Sequence, residues 1–170
     1  ETFWNYIDRR VENRRVALGR ERLQENKRLL KEVQQKYGIP ANLMVAFWGM
    51  ETNFGATTGD FPVPISLATL AYDNRRSAFF RNELLNALSI LDQGHISIEN
   101  MKGSWAGAMG QMQFMPSTFL HYAVDANGDK RKDIWRSLPD AFHSAANYLR
   151  QIGWRTDEIW GREVLLPENF

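Results

Sequence analysis

Residues 43–50, LMVAFWGM, form an eight-residue run without a single charged side chain. Pro40 stands three residues before the run and can open a helix at its first turn. The sequence therefore predicts a helix over about 41–51. Because this helix has few polar residues, it must be buried on most of its sides.

Glu51 follows this run directly, at or near the end of the predicted helix. Beside Phe47, Trp48 and Met50 its carboxyl group would lose hydration, which raises the pKa of a carboxylic acid, and the helix dipole acts in the same direction. A carboxyl group that stays protonated beside a cleft can donate a proton to a glycosidic oxygen. The alternative is a glutamate that only caps the helix or pairs with an arginine.

The rest of the chain is also read as mainly helical. Leu23, Leu30 and Val33 fall near one face of a helix over 20–37, and Gly38 can end it. Further helices are predicted at 78–92, from Pro116, and at 138–152, with loops at 52–66 and 125–133. No strand pair is convincing.

Composition excludes several classes of function. A net charge of +1 gives no electrostatic reason to expect nucleic acid as a partner. The absence of cysteine excludes disulfides, thiolate zinc sites and cysteine nucleophiles. The three histidines lack metal-ligand spacing, so surface or supporting roles are expected for them. The longest apolar run is far shorter than the roughly 20 residues of a membrane span.

The stretch GSWAGAMGQMQFMPS, residues 103–117, mixes small, polar and apolar side chains. Ser104, Gln111 and Gln113 offer hydrogen-bonding groups among apolar neighbours such as Met112 and Phe114. A sugar needs that mixture, because its C–H faces pack on apolar surface while fixed polar groups orient its hydroxyls. The alternative is tight packing with methionine as filler.

The stretch DANGDKRKDIW resembles an EF-hand loop in the spacing of its oxygen donors. Asp125, Asn127 and Asp129 take positions 1, 3 and 5, the carbonyl of Arg131 takes position 7, and Asp133 takes position 9. Hard oxygen ligands at every second position suit Ca²⁺.

Two departures weaken this match: Lys130 replaces the usual glycine at position 6, and Arg136 replaces the usual glutamate at position 12. Asp140 is the candidate for the closing carboxylate. A cation site with a structural role is favoured over a plain turn rich in Asp and Asn.

Six blocks then occur in one order: AFWGMETNFG, SLATLAYDNRR, FFRNEL, GSWAGAMGQMQFMPS, YAVDANGD and SAANYLRQIGW. Together they resemble the membrane-bound lytic murein transglycosylase B family of bacterial peptidoglycan-cleaving enzymes. The resemblance implies a lysozyme-like helical fold with a glycan groove. It also implies non-hydrolytic cleavage of the β-1,4 bond between MurNAc and GlcNAc, which leaves 1,6-anhydro-MurNAc ends. The catalytic glutamate of the family falls on Glu51.

The same resemblance implies roles for other residues. It places Ser104 and Gln113 in contact with substrate, with Met112 and Phe114 as walls of the groove. The family's cation loop falls within residues 125–140, holding structural Ca²⁺ or Na⁺, and catalysis needs no cofactor. The implied metal ligands are Asp125, Asn127, Asp129, Arg131, Asp133 and Asp140.

By the same resemblance, residues 1–170 are a catalytic domain that lacks a C-terminal portion, since family members usually extend further. The implied setting is the periplasm of a Gram-negative bacterium, either soluble or lipid-anchored to the outer membrane. The expected partners of a monomeric enzyme are peptidoglycan strands and proteins of cell-wall synthesis. Two alternatives stay open: a hydrolytic muramidase that uses Glu51, and a peptidoglycan-binding scaffold without activity.

Overall fold

A computed structural model describes residues 2–158 and 161–169. Eight helices and one two-stranded antiparallel sheet account for the regular structure of these residues. The helices are α1 (Phe3–Arg10), α2 (Asn13–Glu25), α3 (Lys27–Tyr37), α4 (Ala41–Thr52), α5 (Val63–Tyr72), α6 (Ser77–Asp92), α7 (Pro116–Tyr122) and α8 (Leu138–Gln151). Strands β1 (Phe61–Pro62) and β2 (Lys102–Gly103) form the sheet.

Helix α4 lies at the centre of the core, as its apolar run predicted. Met44, Val45 and Trp48 are buried, and α2, α3 and α8 all pack against the helix. The Trp48 ring meets Phe142 of α8 edge to face, with centroids 5.2 Å apart. The covering helices therefore fix the position of α4 and of the residues at its carboxyl end.

Two predicted boundaries are wrong. The helix expected over 20–37 is interrupted at Asn26, whose side-chain amide donates to the carbonyl oxygen of Arg22 at 2.9 Å. Such local bonds compete with helical backbone bonds. The loop expected over 52–66 ends early, because α5 begins at Val63 with Pro64 in its first turn, where a helix tolerates proline.

A second group of helices, α5, α6 and α7, packs in sequence order beside the first. Glu83 of α6 is 3% exposed and accepts hydrogen bonds from both the backbone N–H and the hydroxyl of Ser117. It thereby satisfies free donors at the start of α7. Pro116 opens α7, as predicted.

The histidines occupy three different environments. His121 is exposed and His95 is half-buried, but His143 on α8 is only 2% exposed. Surface and supporting roles were both expected for the histidines, and burial leaves the supporting role for His143. The Nε2 atom of His143 lies 3.4 Å from a carboxylate oxygen of Glu32 on α3, and its Nδ1 has no partner within the described residues.

Candidate active site

Glu51 lies in the last turn of α4, between two residues that point into the core. Trp48 is 4% exposed and Thr52 is fully buried, whereas Glu51 is exposed as a whole. Nevertheless, desolvation by neighbouring protein atoms raises the pKa of Glu51 above the ordinary glutamate value. Within the described part of the chain no side chain forms an ion pair or hydrogen bond with this carboxyl group. The helix-end ion pair considered as an alternative therefore has no partner there.

The apolar surroundings expected for Glu51 differ in detail. The Trp48 ring faces the core, where its N–H is already bonded, and Met50 is 55% exposed. Met50 lines a mostly apolar cavity of about 340 Å³ between α2 and α4. Glu51 is not among the residues that line this cavity. In the apolar run before Glu51, Trp48 therefore points into the core, whereas Met50 points to the cavity between α2 and α4.

Three successive left-handed residues turn the chain away from α4. Asn53, Phe54 and Gly55 have φ values of 50°, 59° and 82°. The turn lays the Phe54 ring on Gly49, where an added Cβ would lie 2.7 Å from two ring carbons. Gly49 and Gly55 therefore both allow the turn that follows Glu51: Gly49 leaves room for the Phe54 ring, and Gly55 adopts a left-handed conformation.

The hydroxyl of Thr52 holds this turn in place. It donates to the carbonyl oxygen of Gln111 at 2.9 Å and accepts the N–H of Gly55 at 3.0 Å. The carbonyl oxygen of Thr52 accepts from the N–H of Thr57 at 2.9 Å. These three hydrogen bonds of Thr52 therefore hold the backbone in place directly after Glu51.

Ser104 and Gln113 both lie at the loop that follows Glu51. The hydroxyl oxygen of Ser104 accepts the N–H groups of Ala106 and Ala108. A serine hydroxyl has two acceptor sites and one donor. Its hydrogen therefore remains for a ligand.

The side chain of Gln113 reaches the same loop from the other end of the glycine-rich block. Its Nε2 donates to the carbonyl oxygens of Thr58 and Gly110, both at 3.1 Å. Its Oε1 accepts no hydrogen bond from the described residues. This oxygen is thus the group that Gln113 can offer to a ligand.

Glycines bring the two segments close together. An added Cβ at Gly59 would lie 2.2 Å from the carbonyl oxygen of Gly103 and 2.7 Å from the nitrogen of Ser104. Strands β1 and β2 pair directly beside this point. Ser104 and Gln113 therefore both meet the loop 53–60, which begins two residues after Glu51.

Met112 and Phe114 do not form the walls of a groove. Each is 3% exposed, and the Phe114 ring packs against Tyr148 with centroids 5.8 Å apart. An antiparallel bridge between Met109 and Phe114 folds this part of the chain back into the core. Apolar residues that alternate with polar ones here serve packing, the alternative that the sequence left open.

Gln111 was expected, with Ser104 and Gln113, to offer a polar group to a sugar, but its side-chain amide is bonded within the fold. Its Oε1 accepts the indole N–H of Trp48 at 2.8 Å, and its Nε2 donates to the carbonyl oxygen of Trp135 at 3.0 Å. Its backbone N–H donates to the carbonyl oxygen of Ile134 at 2.9 Å. The sequence does not distinguish this glutamine from Gln113, because both alternate with apolar residues in the same stretch.

The loop 125–133 is folded around its own side chains. The Asp125 carboxylate accepts the N–H groups of Gly128 and Lys130, both at 2.7 Å. The Asn127 side-chain oxygen accepts the N–H of Asp129, and a carboxylate oxygen of Asp129 accepts the N–H of Arg131. The oxygens at positions 1, 3 and 5 are therefore arranged by local backbone bonds.

Asp140 closes this loop. It is fully buried, and its two oxygens accept the N–H groups of Ala126 at 2.9 Å and Asp133 at 2.8 Å. Desolvation raises the pKa of Asp140, against the opposing effect of these bonds. Asp133 itself caps the next turn by accepting from Trp135 and Arg136.

The donors of the loop fit a hard cation only with help from neutral oxygens. In residues 2–158 and 161–169, no three His, Asp or Glu side chains are grouped as metal ligands would be. A calcium ion here would need the Asn127 amide and the Arg131 carbonyl besides carboxylates, and Ca²⁺ accepts such mixed oxygen ligands.

The family model described as the transglycosylase SLT domain matches residues 1–170. Membrane-bound lytic murein transglycosylase B of Escherichia coli (strain K12) is 40% identical over 147 residues, which cover 83% of this chain and 40% of that protein. The crystal structure of SltB3 from Pseudomonas aeruginosa in complex with NAG-anhNAM-pentapeptide is 47% identical, with a TM-score of 0.94. That match covers 100% of this chain and 45% of SltB3.

A third relative is the E. coli lytic transglycosylase Slt35, whose structure was solved in complex with calcium. It is 34% identical with a TM-score of 0.86, over 92% of this chain and 50% of Slt35. The matches confirm the mainly helical, lysozyme-like fold. The chain spans half or less of the length of each of these relatives. None of the helices in its described residues is long and apolar enough to cross a membrane.

Proposed function

The chain belongs to the family of transglycosylase SLT domains, and we propose that it cleaves peptidoglycan as a lytic transglycosylase with Glu51 as its acid and base. The observation that carries the proposal is the placement of Glu51. It is a desolvated carboxyl group with a raised pKa, at the edge of the loop that also meets Ser104 and Gln113. A protonated carboxyl group in such a position can act as a general acid.

The reaction needs one carboxyl group in two successive roles. Glu51 donates its proton to the oxygen that links MurNAc to GlcNAc, and the bond from that oxygen to the anomeric carbon breaks. The 6-hydroxyl oxygen of the same MurNAc bonds to the anomeric carbon, and the Glu51 carboxylate takes the hydroxyl proton. The products are a free GlcNAc hydroxyl and a 1,6-anhydro-MurNAc end, with no water consumed. Glu51 is protonated again.

This scheme agrees with the surroundings of Glu51 in the described part of the chain, where no second carboxyl group influences its pKa. Glycosidases that use water place two carboxyl groups on either side of the scissile bond. Among the described residues, no ionisable group contributes to the pKa shift of Glu51, which desolvation alone accounts for. An internal hydroxyl as nucleophile removes the need for a partner carboxylate.

Ser104 and Gln113 are the residues that we assign to substrate binding. The Ser104 hydroxyl has a hydrogen to donate, and Gln113 Oε1 has acceptor sites. The pair can therefore bind one hydroxyl or amide group of a sugar as donor and acceptor. That SltB3 was solved with NAG-anhNAM-pentapeptide supports a glycan of this type as substrate.

Product analysis tests this proposal. The chain is incubated with purified peptidoglycan, and the released fragments are examined by mass spectrometry. We expect 1,6-anhydro-MurNAc ends, which are lighter than reducing ends by one water molecule. Reducing ends would identify a hydrolytic muramidase, and no release would identify a binding scaffold. Either result would overturn the proposal.

We further propose that residues 125–140 form a structural cation loop within a catalytic domain that comprises residues 1–170. The ligands would be carboxylate, amide and carbonyl oxygens of Asp125, Asn127, Asp129, Arg131 and Asp140, with Asp133 orienting the segment. Support comes from the local fold of the loop and from the calcium complex of Slt35.

Thermal unfolding tests the cation loop. A cation that binds only the folded state raises the free energy of unfolding by mass action, by about 2.7 kcal/mol at a concentration 100 times its Kd, and so raises Tm. We expect a higher Tm in Ca²⁺ than in chelator, and a smaller difference for Asp129→Asn. Equal Tm values at millimolar Ca²⁺ and in chelator would reject the site. Na⁺ in the same experiment distinguishes the two cations.

The cell envelope is the compartment that this substrate implies. We propose that the enzyme works as a monomer in the periplasm, free or attached to a membrane through parts outside residues 1–170. The name of the E. coli relative, which includes "membrane-bound", supports this assignment. Fractionation of the native protein tests it: recovery in the cytoplasm would contradict it.

A further inference from the structure

We infer that Gln111 is a positioning residue that sets the place of Glu51 by tying the last turn of α4 to residues 134–135. This inference rests on the proposed role of Glu51 as the acid. Gln111 itself has no bond to Glu51 and acts through the two residues that flank it.

Glu51 depends on its backbone for its position. No described side chain bonds to its carboxyl group, so the direction of that group follows from the last turn of α4. Trp48 is three residues before Glu51 and Thr52 is one residue after it. Both flanking side chains bond to Gln111, at 2.8 Å and 2.9 Å.

Gln111 is in turn anchored on the opposite side. Its Nε2 and its backbone N–H donate to the carbonyl oxygens of Trp135 and Ile134. That segment is rigid, because the Trp135 indole N–H donates to Lys102 and Ile134 is buried. One residue thus connects the turn beneath Glu51 to a fixed wall of the domain.

The Gln111 side chain also determines how closely the loop after Glu51 can approach. An added Cβ at Gly55 would lie 2.4 Å from Gln111 Oε1. Gly55 lies three residues before Thr58, whose carbonyl oxygen Gln113 holds. Gln111 therefore contacts both α4 and the loop 53–60 at the point where they meet.

Kinetics on a soluble glycan strand test the inference with Gln111→Met, Trp48→Phe and the double variant. The methionine keeps the length and removes both amide bonds, and the phenylalanine keeps a ring and removes the indole donor. We expect kcat to fall by roughly tenfold or more in each single variant, because a small misplacement of a catalytic group is costly. KM should stay near the wild-type value, since the substrate contacts remain. The double variant should be no slower than the slower single variant.

Asn147→Leu is the matched control. It removes a part-buried amide bond of the same kind, from Asn147 Nδ2 on α8 to the carbonyl oxygen of Tyr122 on α7 at 2.8 Å, which does not involve α4. We expect a lower Tm with kcat unchanged. If Gln111→Met lowers Tm but leaves kcat unchanged, Gln111 is only structural. Additive kcat effects of Gln111→Met and Trp48→Phe would also reject the inference.

Glu51→Gln separates this inference from the proposed function. If that variant is inactive while Gln111→Met and Trp48→Phe keep full kcat, the positioning role fails and the proposed acid stands. If Glu51→Gln keeps full kcat, the proposed acid fails and the positioning role fails with it. The pH dependence of kcat/KM adds a second readout. The apparent pKa that Glu51 contributes to this profile should change in Gln111→Met and stay at the wild-type value in Asn147→Leu.

Discussion

The Phe54 ring lies on the backbone of Gly49, with two ring carbons 2.7 Å from the place of an added Cβ. The same ring atoms, Cζ and Cε1, also approach Gly19 of α2, where an added Cβ would lie 3.4 Å from Cζ, an ordinary contact distance. The Phe54 ring therefore contacts both α2 and α4, with less room at Gly49 than at Gly19.

Gly49→Ala and Gly19→Ala should consequently have opposite effects. Both variants replace a helical glycine with alanine, and this replacement by itself favours the folded state by about 0.5–1 kcal/mol. At position 49 the clash with Phe54 should outweigh this gain and lower the free energy of unfolding by about 1–3 kcal/mol. Chemical denaturation measures both. A Gly49→Ala variant as stable as Gly19→Ala would show that the ring has room to move.

Glu51→Gln should stabilise the protein near neutral pH. The raised pKa of Glu51 means that its charged form is disfavoured by folding. Its contribution to stability is intact below the ordinary glutamate pKa, about 4.3, and is lost as pH rises through the folded pKa. Because the residue is exposed, screening keeps the effect small. We expect a Tm about one or two degrees higher at pH 7.5 and no difference at pH 4.

The control for this measurement is Glu21→Gln, at an exposed position of α2. A Glu51→Gln variant that is less stable than the wild type at pH 7.5 would mean that the carboxylate has a favourable partner, as a purely structural glutamate would.

His143 should make the protein sensitive to mild acid. Burial is the largest cause that lowers the pKa of His143, with Lys36 acting in the same direction and Glu32 and Asp140 opposing it. The folded state therefore binds a proton less readily than the unfolded state, so stability is lost as pH falls from about 7 towards 5. His143→Gln should flatten this part of the curve.

His121→Gln, at an exposed position of α7, is measured as the comparison. Equilibrium urea unfolding at half-unit pH steps gives the slopes. If His143→Gln keeps the wild-type slope between pH 7 and 5, the buried histidine does not titrate with unfolding.

Asp140→Asn should destabilise the protein even in chelator. The two Asp140 oxygens accept separate backbone N–H groups, whereas an asparagine side chain has one oxygen. One buried N–H would lose its acceptor, at a cost of about 1–3 kcal/mol. Asp157→Asn, at an exposed ion pair with Arg155, should change stability by less than about 0.5 kcal/mol. Equal effects of the two variants would contradict the assigned role of Asp140.

The sequence predicted the helices whose signals are local. The uniform apolar run gave α4, Pro116 gave the start of α7, and regular spacing gave α6 and α8. The loop predicted over 52–66 was too long, because Pro62 and Pro64 indicate a loop by composition but lie at the start of α5. Asn26 divides a continuous helical pattern through a side-chain bond that spacing does not reveal.

The candidate site divides in the same way. Glu51 could be found because a charge at the end of an apolar run is unusual in itself. Met112 and Phe114 were assigned to the wrong surface because a bridge between Met109 and Phe114 turns them inward, and such pairing has no local signature. The bonds of the Gln111 side chain could not be predicted, because its partners Trp48 and Trp135 lie 63 and 24 residues away in the chain.

The most direct measurement is the release of anhydro-muropeptides by wild type, Glu51→Gln, Glu51→Asp and Glu21→Gln from the same peptidoglycan preparation. If Glu51 is the single acid and base, Glu51→Gln should release at least roughly 100-fold less, by the usual size of general acid–base catalysis. Glu51→Asp should fall between, because its carboxyl group is withdrawn by one methylene. Glu21→Gln should match the wild type. Equal anhydro-product release by wild type and Glu51→Gln would contradict the account.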